Sequence, residues 1–435
     1  MKTLLGAAIA VAAIAASLSI SGCRASAEDA SISIPAARSD KPRNTAPLVS
    51  ADDSRELATG NTKLALDLYG VLRDTPELAG KNLFFSPYSV SIALAMTSAG
   101  ARGATRDEMA KALHFTLPDE RLHPAFDMLD LALASRGASA KSDSRPFRLR
   151  VVNADFAQRG LAFEPSFLDV LATSYGADVK LVDFSGAPEA ARTTINAWVA
   201  QETNDRIADL LPKGSISAAA RLVLVNAVYF SAGWLTPFAP EATRPAPFHE
   251  LDGSSRDVDT MDQSTELRYA TGTGYEAVEL PYDGDELAMT IVLPEAGKLA
   301  DVEARLTSDE LDGIAARLQP ATVHLRLPKL RYEADAFSLA SVLQQLGMHL
   351  AFTPDADFSG ITQVEQLYIL DVFHKAFLAV DESGTEAAAA TAVIVGKVSA
   401  PVDRHDVFVD RPFVLFIRDR ATGTILFAGR FVQLG

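Results

Sequence analysis

One cysteine stands in the 435 residues, at Cys23. A chain this poor in thiols builds no disulfide framework and no thiolate metal centre. Its folded part has to be held by packing alone. Basic residues are also in short supply: 40 Lys and Arg face 56 Asp and Glu, a formal net charge of −16. General nucleic-acid binding needs clustered cations against phosphates, so that class of function and partner is excluded. Local enzyme signatures are missing too. There is no G-x-S-x-G elbow, no lysine with a serine three residues before it, and no H-E-x-x-H; His249-Glu250 runs on as Leu-Asp-Gly. A Ser-His-Asp triad dispersed along the chain leaves no local signature and stays open on these grounds. Asp355-Ala-Asp357-Phe-Ser359-Gly360 starts like a calcium loop, but its twelfth position is Gln366 where a bidentate Glu is needed. No metal and no cofactor is therefore expected.

What is present begins at the N-terminus. Lys2 precedes an uncharged run from Leu4 to Ile20, the pattern of a secretory signal; a retained single membrane span is the alternative. The run ends in Ser21-Gly22-Cys23, which resembles a bacterial lipobox with Cys23 as the lipidated residue. This predicts a signal peptide over 1–22 and export to the cell envelope. Because Arg24 follows, it also predicts an outer-membrane lipoprotein, held to the membrane through its N-terminal lipid and facing the periplasm or the exterior. Residues 24–54 carry Pro35, Pro42 and Pro47 among Ser, Ala and Asp, with no apolar period. They read, with Cys23, as a flexible tether (23–54) reaching roughly 30 Å. From 55 to 435 the chain reads as one domain and, by expectation, a monomer.

The elements of that domain are mixed. Leu64, Leu68, Val71 and Leu72 have helical spacing. Ser86-Pro87 opens a helix that Gly100 stops. Thr105-Arg106-Asp107-Glu108 has the form of a capping box. A further helix is predicted over 336–346, with Gly347 as its cap. Strands are predicted over 147–156, 222–230, 287–293, 322–327, 413–417 and 425–431. Helices clustered early and strands following strands indicate an α+β protein.

One stretch has divided preferences. Glu386–Ala390 favours helix, whereas Val393-Ile394-Val395 favours strand, and Ser399-Ala-Pro-Val with a charged run follows. A segment that is small at first and then β-prone can be loop in one state and strand in another. Taking Thr385 as the first strand residue, Ala387, Ala389, Thr391, Val393 and Val395 share its face. Glu386, Ala388, Ala390 and Ala392 fall on the other, so the one charge is directed away from a core. Gly384 supplies hinge freedom.

The run His374-Lys375-Ala376, Asp381-Glu382 and Gly384-Thr385-Glu386-Ala387-Ala388-Ala389-Ala390-Thr391-Ala392 resembles the hinge signature of inhibitory serpins. Asn82–Val90, Asn196-Ala-Trp198 through Ile207, Asn226–Phe230 with Gly233-Trp234, Asp357–Ile361, Arg411-Pro-Phe413 and Leu426–Arg430 are similar to other serpin motifs, in the same order. The resemblance implies a serpin fold: three β-sheets, about eight or nine helices and an exposed reactive-centre loop. It implies no enzyme but an inhibitor of a serine protease, with papain-like cysteine proteases within reach of the same chemistry. The protease cuts the loop, the acyl-enzyme forms, and the cut loop enters the large sheet before hydrolysis completes.

Residue by residue, the hinge is Glu382, Gly384, Thr385, Glu386, Ala387, Ala388, Ala389, Ala390 and Thr391. The shutter beneath the sheet is Ser86, Ser89, Asn226 and His374, and Trp198 matches the breach where insertion starts. Without the resemblance these would be a helix cap, ordinary buried polar groups and a core tryptophan. Family spacing puts the reactive bond at Val398–Ser399, with Lys397–Val398 one residue earlier as the alternative. A non-inhibitory serpin acting as a binding or scaffold protein is the second function considered.

Overall fold

The computed structural model describes residues 32–140, 147–333, 335–385 and 404–434. Cys23, the signal segment 1–22, Glu386–Thr391 of the hinge, and Lys397, Val398 and Ser399 lie outside the described residues.

The first part of the chain carries β1 (Ala36–Ala37), α1 (Ala51–Asp74), β2 (Leu83–Phe85), α2 (Pro87–Ser98), α3 (Gly103–Ala112) and α4 (Asp119–Ala134). Then come β3 (Arg148–Gln158), α5 (Pro165–Val170), β4 (Val179–Val182), α6 (Pro188–Glu202) and β5 (Leu222–Gly233). The middle is strand-rich: β6 (Arg244–His249), β7 (Ser255–Gly272), β8 (Tyr275–Pro281) and β9 (Leu287–Pro294), followed by α7 (Leu299–Glu303) and α8 (Ser308–Arg317). The last part holds β10 (Gln319–Pro328), β11 (Leu330–Glu333), β12 (Phe337–Ser338), α9 (Ala340–Gln345), β13 (Val372–Asp381) and β14 (Gly384–Thr385). β15 (Arg404–Phe408), β16 (Phe413–Asp419) and β17 (Ile425–Phe431) close it.

Two hydrogen-bonded paths organise these strands. The main sheet runs β1-β4-β3-β5-β14-β13-β11, with β12 also on β13. The second path runs β15-β10-β7-β8-β9-β16-β17-β2, with β6 on β7. Long β7 is shared: 255–260 pair with β6, 260–269 with β10 and 268–272 with β8. Two of the three expected sheets are thus joined through one strand.

Helix α2 explains how the layers meet. Ser86 caps it, its Oγ accepting from Ser89 N at 3.2 Å, and Pro87 takes the first turn. Every residue of α2 is buried, so it packs all round, under β3, β5 and β17. The residues read as a capping box do something else. α3 begins two residues earlier, at Gly103, so Thr105 lies inside it. Thr105 Oγ1 instead accepts from Asp357 N at 2.9 Å, and the Glu108 carboxylate accepts from His349 and Leu350 N at 2.8 and 2.7 Å. Tertiary contacts claim those side chains. The predicted helix 336–346 is shorter, with β12 taking its start.

The N-terminal segment differs from expectation. The compact unit extends from Ser33 to Gly435, so from Ser33 onward the expected tether is part of the body. β1 adds to the edge strand β4, Arg38 pairs with Asp178 at 3.4 Å, and Lys41 with Asp169 at 2.7 Å. Arg43 bridges Asp127 and Asp130 of α4 at 2.8 and 2.6 Å. Then α1 starts at Ala51, capped by Ser50. Charge and backbone pairing hold this segment, not an apolar stripe, which is why periodicity does not reveal it.

Candidate functional site: the hinge and the buried polar cluster

β5 and β13 are parallel neighbours, but their direct pairing covers only 224–228 against 372–376, registered as Leu224↔Val372 through Val228↔Ala376. At the far end a third strand stands between them. Gly384 and Thr385 pair antiparallel with Asp381 and Val380 on one side and with Gly233 and Ala232 on the other. The sheet is a fork, and Gly384 and Thr385 occupy its open end.

Local chemistry fixes this entry. Asp381 Oδ1 accepts from Ser383 N and Gly384 N at 2.9 and 3.2 Å, closing a tight turn. Gly384 has φ +150°, and a Cβ there would lie 2.1 Å from the Ala232 carbonyl oxygen. Only glycine fits that approach. Thr385 is buried, and its hydroxyl is 2.7 Å from Tyr282 Oη. Its side chain therefore faces the core, as strand alternation from Gly384 requires. Glu382 anchors the base: Thr243 Oγ1 donates to its carboxylate at 2.7 Å, and Lys329 Nζ lies at 3.0 Å. Burial alone would raise the Glu382 pKa, but these hydrogen bonds and the Lys329 charge outweigh it and hold the carboxyl below its ordinary range.

Below the fork, four expected residues come together. His374 Nδ1 meets Asn226 Oδ1, and Asn226 Nδ2 donates to Ser89 Oγ. Ser86 N donates to His374 Nε2 at 3.1 Å. That nitrogen is thus the acceptor, so the neutral ring carries its proton on Nδ1. Full burial pushes the His374 pKa down to about 3, which keeps the ring neutral. Asn153 of β3 is a fifth member, accepting from Asn226 Nδ2 at 2.5 Å and donating to Ser89 O at 3.2 Å. The network thus ties together β3, β5, β13 and the helix α2 beneath.

The family model described as Serpin (serine protease inhibitor) matches residues 59–434. This chain belongs to the serpin family. It is 42% identical to an uncharacterised serpin-like protein of Thermococcus kodakarensis over 82% of each chain. It is 37% identical to the human leukocyte elastase inhibitor over 86% of this chain and 99% of that one. The native structure of tengpin, a thermophilic serpin, matches with a TM-score of 0.78 at 27% identity, covering 92% of this chain and 98% of the other. The fold is the serpin fold, and the family is one of protease inhibitors, not of enzymes.

One expected site residue is not where the resemblance put it. Trp198 lies on α6, its ring against Phe156 at 5.5 Å and under Lys180 Nζ at 4.8 Å. Phe156 pairs with Val223, at the end of β5 opposite the hinge. The serpin's other tryptophan, Trp234, is the one at the fork. Its Nε1 donates to Asp381 O at 3.0 Å, its N donates to Ser383 O at 2.9 Å, and its ring stacks on Tyr282 at 4.7 Å. Both tryptophans follow a serpin-like motif, and sequence order alone does not say which reaches the hinge. Asn153, Tyr282 and Lys329 carry no sequence signal for their places here, since each lies far along the chain from the residue it binds.

Proposed function

We propose that this serpin inhibits a serine-type protease by suicide-substrate trapping. The protease cleaves the loop, the acyl-enzyme forms, and residues from Thr385 onward enter the main sheet between β5 and β13 before deacylation. The observation that carries the reading is Gly384-Thr385 standing as a strand between β5 and β13, with Thr385 turned into the core. That is the first step of insertion, and the small residues that follow, Ala387, Ala389 and Thr391, suit the same face. Inhibitory relatives such as the leukocyte elastase inhibitor support it. The reactive bond is Val398–Ser399, with Lys397–Val398 the alternative; valine suits an elastase-like pocket and lysine a trypsin-like one. Thr385 to Val398 is 14 residues, roughly 45 Å as an extended strand, enough to carry a protease far from its docking point. The protein acts at the cell envelope, anchored through lipidated Cys23.

Incubation with elastase-, chymotrypsin- and trypsin-like proteases tests this on a denaturing gel. The expected result is a complex that survives denaturation and a released C-terminal peptide starting at Ser399 or Val398. If every protease either ignores the chain or cuts it and stays free, the non-inhibitory binding role takes its place.

A further inference from the structure

A second feature converges on Glu382. A cleft of about 620 Å³ opens beside the hinge, between the first residues of β7, β11 and the C-terminal strand. Three cations line it, Arg256, Lys329 and Arg331, over an apolar floor of Val258, Tyr332 and Phe431. Its volume lies within the range of small-molecule sites. The carboxylates on its rim are mostly committed. Glu250 pairs with Arg256 at 3.5 Å, and Glu333 with Lys375 at 3.4 Å, which leaves Asp259. Arg331 has no carboxylate partner among the described residues and rests over the Phe377 ring at 5.6 Å. Lys329, between β10 and β11, and Arg331 of β11 are two residues apart, both exposed and both lining the cleft. One phosphate or carboxylate group can reach both. Asp259 and Glu333 disfavour a long polyanion, whereas a compact one with an apolar body fits both the cation pair and the floor.

Lys329 is also the cation on Glu382. We propose that this cleft binds a compact organic anion, a phosphate or carboxylate with an apolar body, and that its binding draws Lys329 off Glu382 and loosens the base of the hinge. The regulatory half rests on the reading of Glu382–Thr391 as hinge; the binding half does not. The coupling is local: a carboxylate 13% exposed loses one of two side-chain partners, and Asp381, next in the chain, holds both the turn into β14 and the Trp234 indole.

Phenyl phosphate is the probe, titrated calorimetrically into the full chain. The expected result is one saturable site, weakened about tenfold or more in Lys329→Ala/Arg331→Ala, as loss of charge-assisted hydrogen bonds requires. Inorganic phosphate should bind more weakly, having nothing to place on the floor. The hinge is read separately. Trp198→Phe leaves Trp234 as the only indole of the two in the chain, and its emission should shift on titration. The double variant should show that shift without ligand. Arg331→Ala alone should weaken binding and leave the unliganded spectrum unchanged. The proposal is overturned by no saturable binding, by binding indifferent to both variants, or by a Trp234 signal that stays constant at saturation. Neither readout needs a protease. A chain that binds the probe and shifts Trp234 yet traps no protease would sink the inhibitory reading and leave this one standing.

Discussion

Asp155 is the residue least at home in this structure. It lies on β3 between Val179 and Leu224, fully buried. One carboxyl oxygen is 3.5 Å from Thr97 Oγ1, and the other has no hydrogen-bond partner among the described residues. Burial without a cation pushes its pKa from 3.8 up to about 7. The folded state then binds more protons than the unfolded one between those values, so this group's stabilising effect is complete below about 3.8 and is lost as pH rises through about 7. His374 has the opposite sign. Its pKa is lowered from 6.5 to about 3, so the unfolded state binds more protons between those values and stability rises with pH there. Asp155→Asn removes the first effect and leaves the second. Measured by denaturant unfolding, the variant should gain on wild type by a few kcal/mol between pH 4 and 7.5. Parallel curves for the two proteins over that range would show that Asp155 does not ionise as its surroundings dictate.

At the scale of the element, β14 is two residues long and decides what the main sheet can do. A strand of that length contributes little by itself, but it holds β5 and β13 apart at one end while Leu224–Val228 and Val372–Ala376 remain zipped at the other. Under the proposed mechanism, extending β14 would exchange that zipped pairing for two new ladders and bury further side chains, a net gain in hydrogen bonds and burial. Thr385→Arg puts a charge where Thr385 meets Tyr282, at a cost of about 3–5 kcal/mol for an unpaired buried ion. Insertion should slow more than deacylation. The variant should be cut at the same bond but behave as a substrate, giving cleaved serpin and free protease. Wild type cut in its loop should melt at clearly higher temperature than the intact form. Equal inhibition by both proteins, or an unchanged melting temperature after cleavage, would rule out insertion as the trap.

For the whole molecule, the proposed export and anchoring rest on Leu4–Ile20 and Cys23. Cys23→Ser should move the protein out of the membrane fraction or leave it as an uncleaved precursor of higher mass. Unchanged fractionation and mass would end the lipoprotein reading. By itself the sequence determined the family, the α+β class, α2 with its Ser86 cap, the strands β3, β5, β9, β10, β16 and β17, and, through the family motifs, the meeting of Ser86, Ser89, Asn226 and His374. Those are local patterns or motif-borne positions. Tertiary structure alone decided that Ser33–Ser50 is strapped to the body by Arg43 and β1, that Thr105 and Glu108 hold the 349–357 loop and not a helix start, and that Trp234, not Trp198, stands at the fork. The reason is common to all three. Each depends on a partner far off in the chain, Asp127, Asp357 or Asp381, and an ion pair or a single hydrogen bond leaves no period in the sequence to read.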